Sequence, residues 1–265
     1  MEVGVVSSQG RRSAILQILK ENSTVSVLEL SKMFEVSEVT IRKDLNILKD
    51  RNLLVRTRGG AIVNSTGLQE DEKSIRYKKL ANYREKQAIG RAAAELIEDG
   101  DTIIIDSGTT ALQVACNLHR FQNLTILTNA LNVAQEVLSY NRFNVILLGG
   151  NIRNSSESVV GALAESNLKM FYCDKLFLGV DSFSLDNGLS TPSVEEANIN
   201  QIMIQRSRKV ITVFDSSKVN KRALAFITSL DNIDTIVTDD GIEKSTISQL
   251  KARNIEVVTV RPDGL

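Results

Sequence analysis

Several residue types are scarce in this chain of 265 residues, and their scarcity argues against several kinds of site. The chain has no tryptophan, one histidine (His119) and two cysteines (Cys116 and Cys173). A lone histidine and two cysteines without metal-ligand spacing make zinc sites, Ser-His-Asp triads and disulfide frameworks poor interpretations. We therefore expect two buried thiols in a reducing cytosol, and neither a metal nor a cofactor.

Long apolar runs are also missing. No apolar run approaches membrane-spanning length, and the first ten residues lack the apolar core of a signal peptide. Hydrophobic residues make up 42% of the chain and charged residues 24%, which is near the globular average. These features predict a soluble, cytoplasmic protein without a membrane partner, long enough for one large domain or two modest ones.

The formal net charge is zero, but the charges are unevenly distributed. Residues 11–63 contain 10 Lys and Arg against 6 Asp and Glu, so this segment is basic and the remainder is slightly acidic. A basic N-terminal segment on an acidic body favours a nucleic-acid partner for the N-terminal part.

The first sixty residues carry the periodicity of three short helices. The first begins near Arg12, and Asn22 is its predicted end. The second follows Ser26, a candidate N-cap. The third follows Ser37, and its core stripe consists of Ile41, Leu45 and Leu48.

The outer face of the third helix is polar and basic, and a basic hairpin with Gly59-Gly60 at its turn follows it. Arginine and lysine on such a face can reach guanine edges or phosphates, while threonine can contact phosphate or a thymine methyl group. A merely solvated helical face is the alternative, but three helices and a basic hairpin in this order favour DNA binding. The residues predicted to contact DNA are Ser37, Thr40, Arg42, Lys43, Arg56 and Arg58.

This stretch resembles the DeoR-type helix-turn-helix. The matching residues are Val36-Ser37, Thr40-Ile41-Arg42, Asp44-Leu45 and Gly59-Gly60-Ala61. Members of this family often have a histidine before the glycines, where this chain has Arg58. The replacement keeps a phosphate-competent donor, so it affects the expected base preference rather than DNA binding. The resemblance implies a winged helix-turn-helix domain over residues 1–63.

Residues 64–75 are predicted to form a linker, because Asn64 to Gln69 is polar and contains Gly67. Charges are dense from Glu70 to Arg91. Further DNA contact is one interpretation, but we favour a solvated helical connector that leads into the helix at Ala92-Ala93-Ala94.

The remainder, residues 76–265, alternates apolar β-rich runs with helical patterns. Strands are predicted at 102–105, 124–127, 144–148, 175–178, 210–214, 235–237 and 256–260. Helices are predicted between them, at 112–118, 133–138, 163–170, 199–206 and 244–252. Continuous apolar strands joined by crossover helices predict an α/β domain with a mostly parallel, doubly wound sheet.

Ligands bind such sheets at the carboxyl ends of the strands, where small and polar residues accumulate in this sequence. The first strand runs into Asp106-Ser107-Gly108-Thr109-Thr110 and then directly into a helix, which predicts a phosphate-binding turn. Arg153 and Lys218 could pair with an anion, and Asn129 and Asp181 could hold sugar hydroxyls. Any one of these positions could be an ordinary cap or turn; their convergence favours a binding site.

This half resembles the sensor domain of the DeoR family, which is similar in fold to ribose-5-phosphate isomerase and binds phosphorylated sugars. The matching positions are Asp106 to Thr110, Thr128-Asn129, Gly149-Gly150, Gly179-Val180-Asp181, Glu195-Glu196-Ala197 and Asp215 to Lys218. The Gly179-Val180-Asp181 and Gly188-Leu189-Ser190-Thr191 pattern looks most like the amino-sugar branch. The predicted effector-binding residues are Asp106, Ser107, Gly108, Thr109, Thr110, Asn129, Gly149, Gly150, Arg153, Asp181, Glu195 and Lys218.

The isomerase resemblance also raises an enzymatic hypothesis, a sugar-phosphate isomerase with a fused DNA-binding module. Glu195 or Glu196 could serve as its base, but the isomerases carry a lysine and glycines before that glutamate. This chain has Gly188-Leu189-Ser190-Thr191-Pro192 there, which favours a sensor without activity. A structural adaptor without a ligand is a third hypothesis, which the gathered polar residues do not favour.

We therefore predict a sequence-specific DNA-binding transcriptional regulator, acting as a repressor of sugar or amino-sugar catabolism genes and controlled by a phosphorylated sugar. Sensor domains of this type usually oligomerise, so a homo-oligomer, dimeric or tetrameric, is expected to address paired half-sites in operator DNA.

Overall fold

The structure is a computed structural model that describes residues 8–22, 24–50, 53–57, 59–63 and 75–262. The chain divides into two compact units, Met1–Glu70 and Asp71–Leu265. Within the described residues, no helix is both long enough and apolar enough to cross a membrane.

The first unit combines three helices with a small antiparallel sheet. Its elements are α1 (Ser8–Asn22), β1 (Thr24–Ser26), α2 (Val27–Met33), α3 (Glu38–Asp50), β2 (Leu54–Arg56) and β3 (Gly60–Val63). The strand order is β1-β3-β2, so the predicted hairpin gains a third strand that the sequence pattern did not indicate. The first helix also begins earlier than predicted, at Ser8 rather than near Arg12.

Both predicted N-caps are confirmed. The Ser26 hydroxyl accepts a hydrogen bond from the Glu29 amide at 3.1 Å, and the Glu29 carboxylate accepts one from the Ser26 amide at 3.3 Å. The Ser37 hydroxyl accepts a hydrogen bond from the Thr40 amide at 3.2 Å. These bonds satisfy amides that a helix start otherwise leaves unpaired. Side chains at the predicted stripe positions are buried, and Ile15, Leu19 and Leu30 complete the core of this unit.

Gly60 differs from its predicted role in the turn of the hairpin. It lies in β3 opposite Ser26 of β1, and a Cβ atom there would lie 1.9 Å from the carbonyl oxygen of Val25. A side chain at this position is therefore excluded by the close approach of β1. The requirement for glycine comes from strand packing across the sheet rather than from the turn.

The second unit contains a seven-stranded parallel sheet with order β15-β14-β12-β9-β4-β5-β6 and two smaller antiparallel sheets, β7-β8 and β10-β11-β13. Its strands are β4 (Thr102–Ile105), β5 (Thr125–Thr128), β6 (Asn144–Leu147), β7 (Asn151–Arg153), β8 (Ser158–Val160), β9 (Cys173–Gly179), β10 (Ser182–Ser184), β11 (Gly188–Thr191), β12 (Ser207–Val213), β13 (Ala225–Thr228), β14 (Thr235–Asp239) and β15 (Glu256–Val260). The predicted doubly wound parallel sheet is confirmed. The two small sheets were not predicted, because most of their strands are short and polar.

Helices cover both faces of the parallel sheet. They are α4 (Ile75–Leu80), α5 (Tyr83–Ala94), α6 (Thr109–Ala115), α7 (Leu131–Leu138), α8 (Ala162–Leu168), α9 (Val194–Gln205) and α10 (Lys244–Ala252), with short 3-10 turns at Ser216–Lys218 and Leu230–Asn232. Side chains alternate between two cores: Ile103 and Phe177 belong to one, and Ile104 and Leu176 to the other. This alternation explains why the strands read as continuous apolar runs.

From Ile75 onward, the charged stretch before the sheet is largely helical as predicted, but it is not simply solvated. The α5 helix packs against α6 and against strands β14 and β15. Ile75 and Lys86 are each only 3% exposed. The charge density of this stretch therefore gave a wrong expectation of its environment, because two of its elements are part of the folded second unit.

Candidate nucleic-acid interface and ligand pocket

The outer face of α3 presents polar groups in the first unit. Arg42, Lys43 and Asn46 are exposed, and Thr40 is half-buried with its hydroxyl 2.9 Å from that of Ser37. The Arg42 guanidinium pairs with the Glu38 carboxylate at 2.6 Å along the same helix. Both partners of this pair are well exposed, so solvent weakens it and the guanidinium can exchange the glutamate for another anion.

The opposite side of α3 carries a buried carboxylate. Asp44 accepts a hydrogen bond from Arg11 of α1 at 2.7 Å and lies 3.7 Å from the guanidinium of Arg12. This contact fixes α3 against α1 and so orients the basic face. The pairing of Asp44 with α1 was not predicted from the sequence.

Arg56 and Arg58 were predicted to contact DNA from the wing. The Arg56 guanidinium donates a hydrogen bond to the Gly60 carbonyl at 2.8 Å and is half-buried, so it also holds the two strands of the wing together. Arg58 lies outside the described residues. Among the wing residues, Arg56 therefore has a structural contact in addition to any contact with DNA.

A pocket lies at the carboxyl ends of β4 and β9. These strands are neighbours, and the chain proceeds from β4 toward one edge of the sheet and from β9 toward the other. Such a switch in direction opens a crevice beyond the strand ends, which is where open α/β sheets bind ligands. The lining residues are Ile75, Lys78, Lys86, Asp106–Thr110, Ser155, Ser156, Gly179, Val180, Asp181, Thr191, Glu196, Asn200 and Lys218.

Asp106 is at the base of this pocket. It is 2% exposed, and burial raises the pKa of its carboxyl to about 8, with Glu196 adding to the shift and the Ser107 backbone opposing it. At neutral pH the carboxyl is therefore largely protonated and can donate a hydrogen bond. Its Oδ1 atom has no hydrogen-bond partner among the described residues, which leaves one polar atom for a bound molecule.

Three lysines from separate elements line the pocket: Lys78 of α4, Lys86 of α5 and Lys218. Burial lowers the pKa of Lys86 to about 8 and lowers that of Lys218, because an ammonium group loses hydration in the pocket. The Lys86 ammonium donates to the carbonyls of Lys78 and Ala81, both at 2.6 Å.

Two further carboxylates face the same space. Asp181 pairs with the Lys78 ammonium at 2.5 Å, and the Thr191 hydroxyl lies 3.2 Å from both Asp181 and Glu196. With Asp106 protonated, the charged lining comprises three lysines and two carboxylates. The pocket therefore favours a ligand that carries negative charge and several hydroxyl groups.

Both parts of the chain match domains of a known protein family. The DeoR-like helix-turn-helix domain matches residues 11–67, and the DeoR C-terminal sensor domain matches residues 81–240. The chain belongs to the DeoR family. Members of this family are DNA-binding transcriptional regulators rather than enzymes, so the isomerase hypothesis is rejected as the main activity, and operator DNA is a partner of this DeoR protein.

Its relatives include the aga operon transcriptional repressor assigned in Escherichia coli O157:H7, which is 36% identical over 259 residues and matches 98% of this chain and 96% of that protein. The glycerol-3-phosphate regulon repressor of Escherichia coli K12 is 33% identical over 247 residues, which are 93% of this chain and 97% of that protein. Among solved structures, ribose 5-phosphate isomerase A of Methanocaldococcus jannaschii aligns with a TM-score of 0.40 and 15% identity over 54% of this chain and 56% of that one. This last likeness is too low to support a functional assignment.

The pocket of this DeoR protein contains only part of the predicted effector set. Seven predicted residues line it: Asp106, Ser107, Gly108, Thr109, Thr110, Asp181 and Lys218. Five do not: Asn129, Gly149, Gly150, Arg153 and Glu195. Glu195 is exposed at the start of α9, and its neighbour Glu196 faces the pocket instead.

Three of the other four contact the β7-β8 hairpin or belong to it, and Gly149 contacts α8. The Asn129 side chain donates to the Val159 carbonyl at 3.4 Å, and Arg153 donates to the Ser155 hydroxyl at the hairpin turn. The Gly149 amide donates to the Asn167 side chain at 3.3 Å, and a Cβ atom on Gly150 would lie 2.9 Å from the Val160 carbonyl oxygen. Asn129, Gly150 and Arg153 thus help to position the hairpin, and Ser155 and Ser156 of its turn line the pocket.

Proposed function

We propose that this DeoR-family protein represses genes of sugar or amino-sugar catabolism and that a phosphorylated sugar, bound in the pocket beyond β4 and β9, controls its affinity for operator DNA. The observation that carries this proposal is the convergence of Lys86 and Lys218 on a space that also contains Asp106, whose carboxyl pKa is raised by burial to about 8. Ammonium groups attract a phosphate, and a neutral carboxyl can bind a sugar hydroxyl without repelling it.

The remaining lining supports the same ligand class. Ser107, Thr109 and Thr110 offer hydroxyl donors, while Asp181 and Glu196 offer acceptors for sugar hydroxyls or an amino group. The names of the relatives agree with this class, since one is named as an aga operon repressor and another as the glycerol-3-phosphate regulon repressor.

For the DNA-binding half, we propose that Ser37, Thr40, Arg42 and Lys43 contact the major groove and its phosphates, with Arg56 and Arg58 on the wing. A single α3 helix contacts only a few base pairs, so we further propose a homo-oligomer, dimeric or tetrameric, that places two such helices on paired half-sites. Such a regulator acts in the cytoplasm, where its operator DNA is accessible.

The test is a thermal-shift panel that compares glucose 6-phosphate, galactosamine 6-phosphate and glycerol 3-phosphate with their unphosphorylated counterparts. A ligand at a hundred times its dissociation constant stabilises the folded state by about 2.7 kcal/mol, which is an easily measured shift. The expected result is stabilisation that requires the phosphate and that releases the protein from an operator fragment selected from random duplexes. Stabilisation by the unphosphorylated sugars alone would refute phosphate recognition.

Lys218→Met and Lys221→Met form a matched pair for locating the site. Both remove one positive charge, but Lys218 lines the pocket whereas Lys221 is exposed three residues later. We expect Lys218→Met to lose most of the phosphate-dependent stabilisation while operator binding persists, and Lys221→Met to behave like the wild type. Equal responses of the two variants would place the ligand elsewhere.

A further inference from the structure

The α4 helix covers the pocket and is attached on two sides. On one side, the Ile75 amide donates to the Ser155 carbonyl at 2.9 Å, and the Lys79 ammonium lies 3.5 Å from the Glu157 carboxylate. Ser155 and Glu157 belong to the turn of the β7-β8 hairpin. On the other side, Lys78 pairs with Asp181, which follows β9.

The junction between α4 and α5 is attached as well. Asn82 adopts a left-handed conformation (φ 50°), and its side-chain amide donates to the Asp215 carboxylate at 2.7 Å and to the Ser217 hydroxyl at 3.2 Å. The Lys86 ammonium, which lies in the pocket, donates hydrogen bonds to the carbonyls of Lys78 and Ala81 at the end of α4. The short helix is therefore held by polar contacts along its length, and several of their partners are pocket residues.

The space beneath α4 is small. It measures about 60 Å³, whereas sites for small molecules usually measure roughly 300–1,000 Å³. A few water molecules fill such a space, which leaves little room for a sugar phosphate while α4 stays in place. The ligand also needs Asp181 and Lys86 as partners, and both of these residues now make contacts with α4 or its end.

We infer that α4 is a displaceable lid and that a sugar phosphate binds by displacing it. Groups of the ligand then replace Lys78 as the partner of Asp181, and they replace the carbonyls at the end of α4 as the partners of Lys86. This inference rests on the proposed function of the pocket and adds the way in which binding is signalled. In sequence, α4 directly follows residues 64–74, which connect it to the winged helix-turn-helix unit. Displacement of α4 therefore alters the segment through which the DNA-binding unit is attached.

Thermodynamic linkage gives the lid a measurable signature. If the ligand binds only when α4 is displaced, loosening α4 raises the affinity for the ligand and lowers the affinity for operator DNA. A lid that instead contributes contacts to the bound ligand has the opposite signature, because loosening it weakens ligand binding.

The Asn82→Gly variant tests whether loosening α4 raises the affinity for the ligand, and it does so without altering the pocket lining. Glycine keeps the left-handed conformation and removes both side-chain hydrogen bonds of Asn82. Asn141→Gly is the matched control, because Asn141 is an exposed asparagine with a similar conformation (φ 51°) at the end of α7, away from α4. We expect Asn82→Gly to bind the phosphorylated panel at least threefold more tightly and operator DNA at least threefold more weakly, and Asn141→Gly to match the wild type.

Hydrogen exchange of the full-length protein supplies the direct measurement. With galactosamine 6-phosphate, glucose 6-phosphate or glycerol 3-phosphate at saturation, amides of residues 75–82 are expected to exchange at least tenfold faster. Slower or unchanged exchange in the presence of a compound that binds would refute the proposal that α4 is a displaceable lid. Inorganic phosphate serves as the control for a purely anionic effect.

Failure of the proposed function remains distinguishable. If none of the sugar phosphates binds, the proposed ligand class is wrong. Operator affinity alone then tests whether α4 has a signalling role. Weaker operator binding by Asn82→Gly than by Asn141→Gly then supports a signalling role for α4, while equal operator binding by the two variants refutes it.

Discussion

Asp44 of α3 accepts a hydrogen bond from Arg11 of α1 at 2.7 Å, and the two side chains are only 5% and 10% exposed. The pair joins α1 to α3 through two residues that are 33 positions apart in sequence. Asp44 is also one of the residues on which the resemblance to the DeoR helix-turn-helix rests. Its place in that motif is thus explained by helix packing rather than by contact with DNA.

Removal of this carboxylate is expected to destabilise the first unit. Asp44→Ala leaves the Arg11 guanidinium buried without its partner, and breaking a buried pair in this way costs on the order of 3 kcal/mol. Glu38→Ala is the control, since it breaks an exposed pair worth roughly 0–1 kcal/mol. Urea unfolding followed by circular dichroism measures both. Equal destabilisation by the two variants would contradict the structural role of Asp44.

Two adjacent glycines are expected to respond differently to alanine. Gly60→Ala places a methyl group 1.9 Å from the Val25 carbonyl oxygen, whereas nothing lies within 4 Å of a Cβ atom on Gly59. Gly60→Ala should therefore separate β1 from β3 and lower stability by about 1–3 kcal/mol, and Gly59→Ala should be nearly neutral. Thermal melts of the two variants measure the difference, and a stable Gly60→Ala protein would show that β1 does not approach Gly60 this closely.

Arg42→Ala and Lys43→Ala are expected to weaken operator binding. A side chain that reads a base contributes about 1–3 kcal/mol, which corresponds to roughly 5- to 150-fold in affinity. Lys169→Ala removes the same charge from an exposed position in the second unit and should leave affinity unchanged. Fluorescence anisotropy with a selected operator fragment measures all three. Wild-type affinity in both α3 variants would refute the assignment of this face to DNA.

Asp106→Asn is expected to change how stability depends on pH. Burial raises the pKa of Asp106 to about 8, so the folded chain keeps a proton that the unfolded chain releases near its ordinary value of 3.8. Between these values the unfolded state binds fewer protons, so the carboxyl lowers stability progressively as pH rises toward 8.

The asparagine variant lacks this titration. Its melting temperature relative to the wild type should therefore increase from pH 5 to pH 8 and then level off. The increase should amount to several degrees, for a free-energy difference on the order of 1 kcal/mol or more. Asp186→Asn, which removes an exposed carboxylate, is the control. Parallel pH profiles for wild type and Asp106→Asn would show that the carboxyl is not protonated in the folded protein.

Periodicity predicted most of the fold. The seven parallel strands and the core stripe of α3 were found because burial on one helical face, or on both faces of a sheet, leaves a regular apolar pattern. The β7-β8 hairpin and the sheet formed by β10, β11 and β13 left no such pattern. Their strands consist of three or four residues each, and residues such as Ser182 and Ser190 carry no signal of burial.

The pocket was predicted in part, for a related reason. Residues that follow β4, such as Asp106, were found because a strand end fixes their position. Lys78 and Lys86 were missed because their burial depends on how α4 and α5 fold back over the sheet, which charge density does not reveal. Glu196 lines the pocket and the predicted Glu195 does not, because the face that α9 turns toward the pocket is set by tertiary packing.

Among the described residues, the hydrophobic core of the first unit and the two cores of the second are each built from side chains of that unit. Recombination between two related genes within the codons for residues 64–74 would therefore keep the residues of each of these cores together. The product would carry the DNA specificity of one parent and the metabolite specificity of the other. A single crossover can in this way connect an existing metabolic signal to a different set of genes, and the same junction is suited to chimeric biosensors.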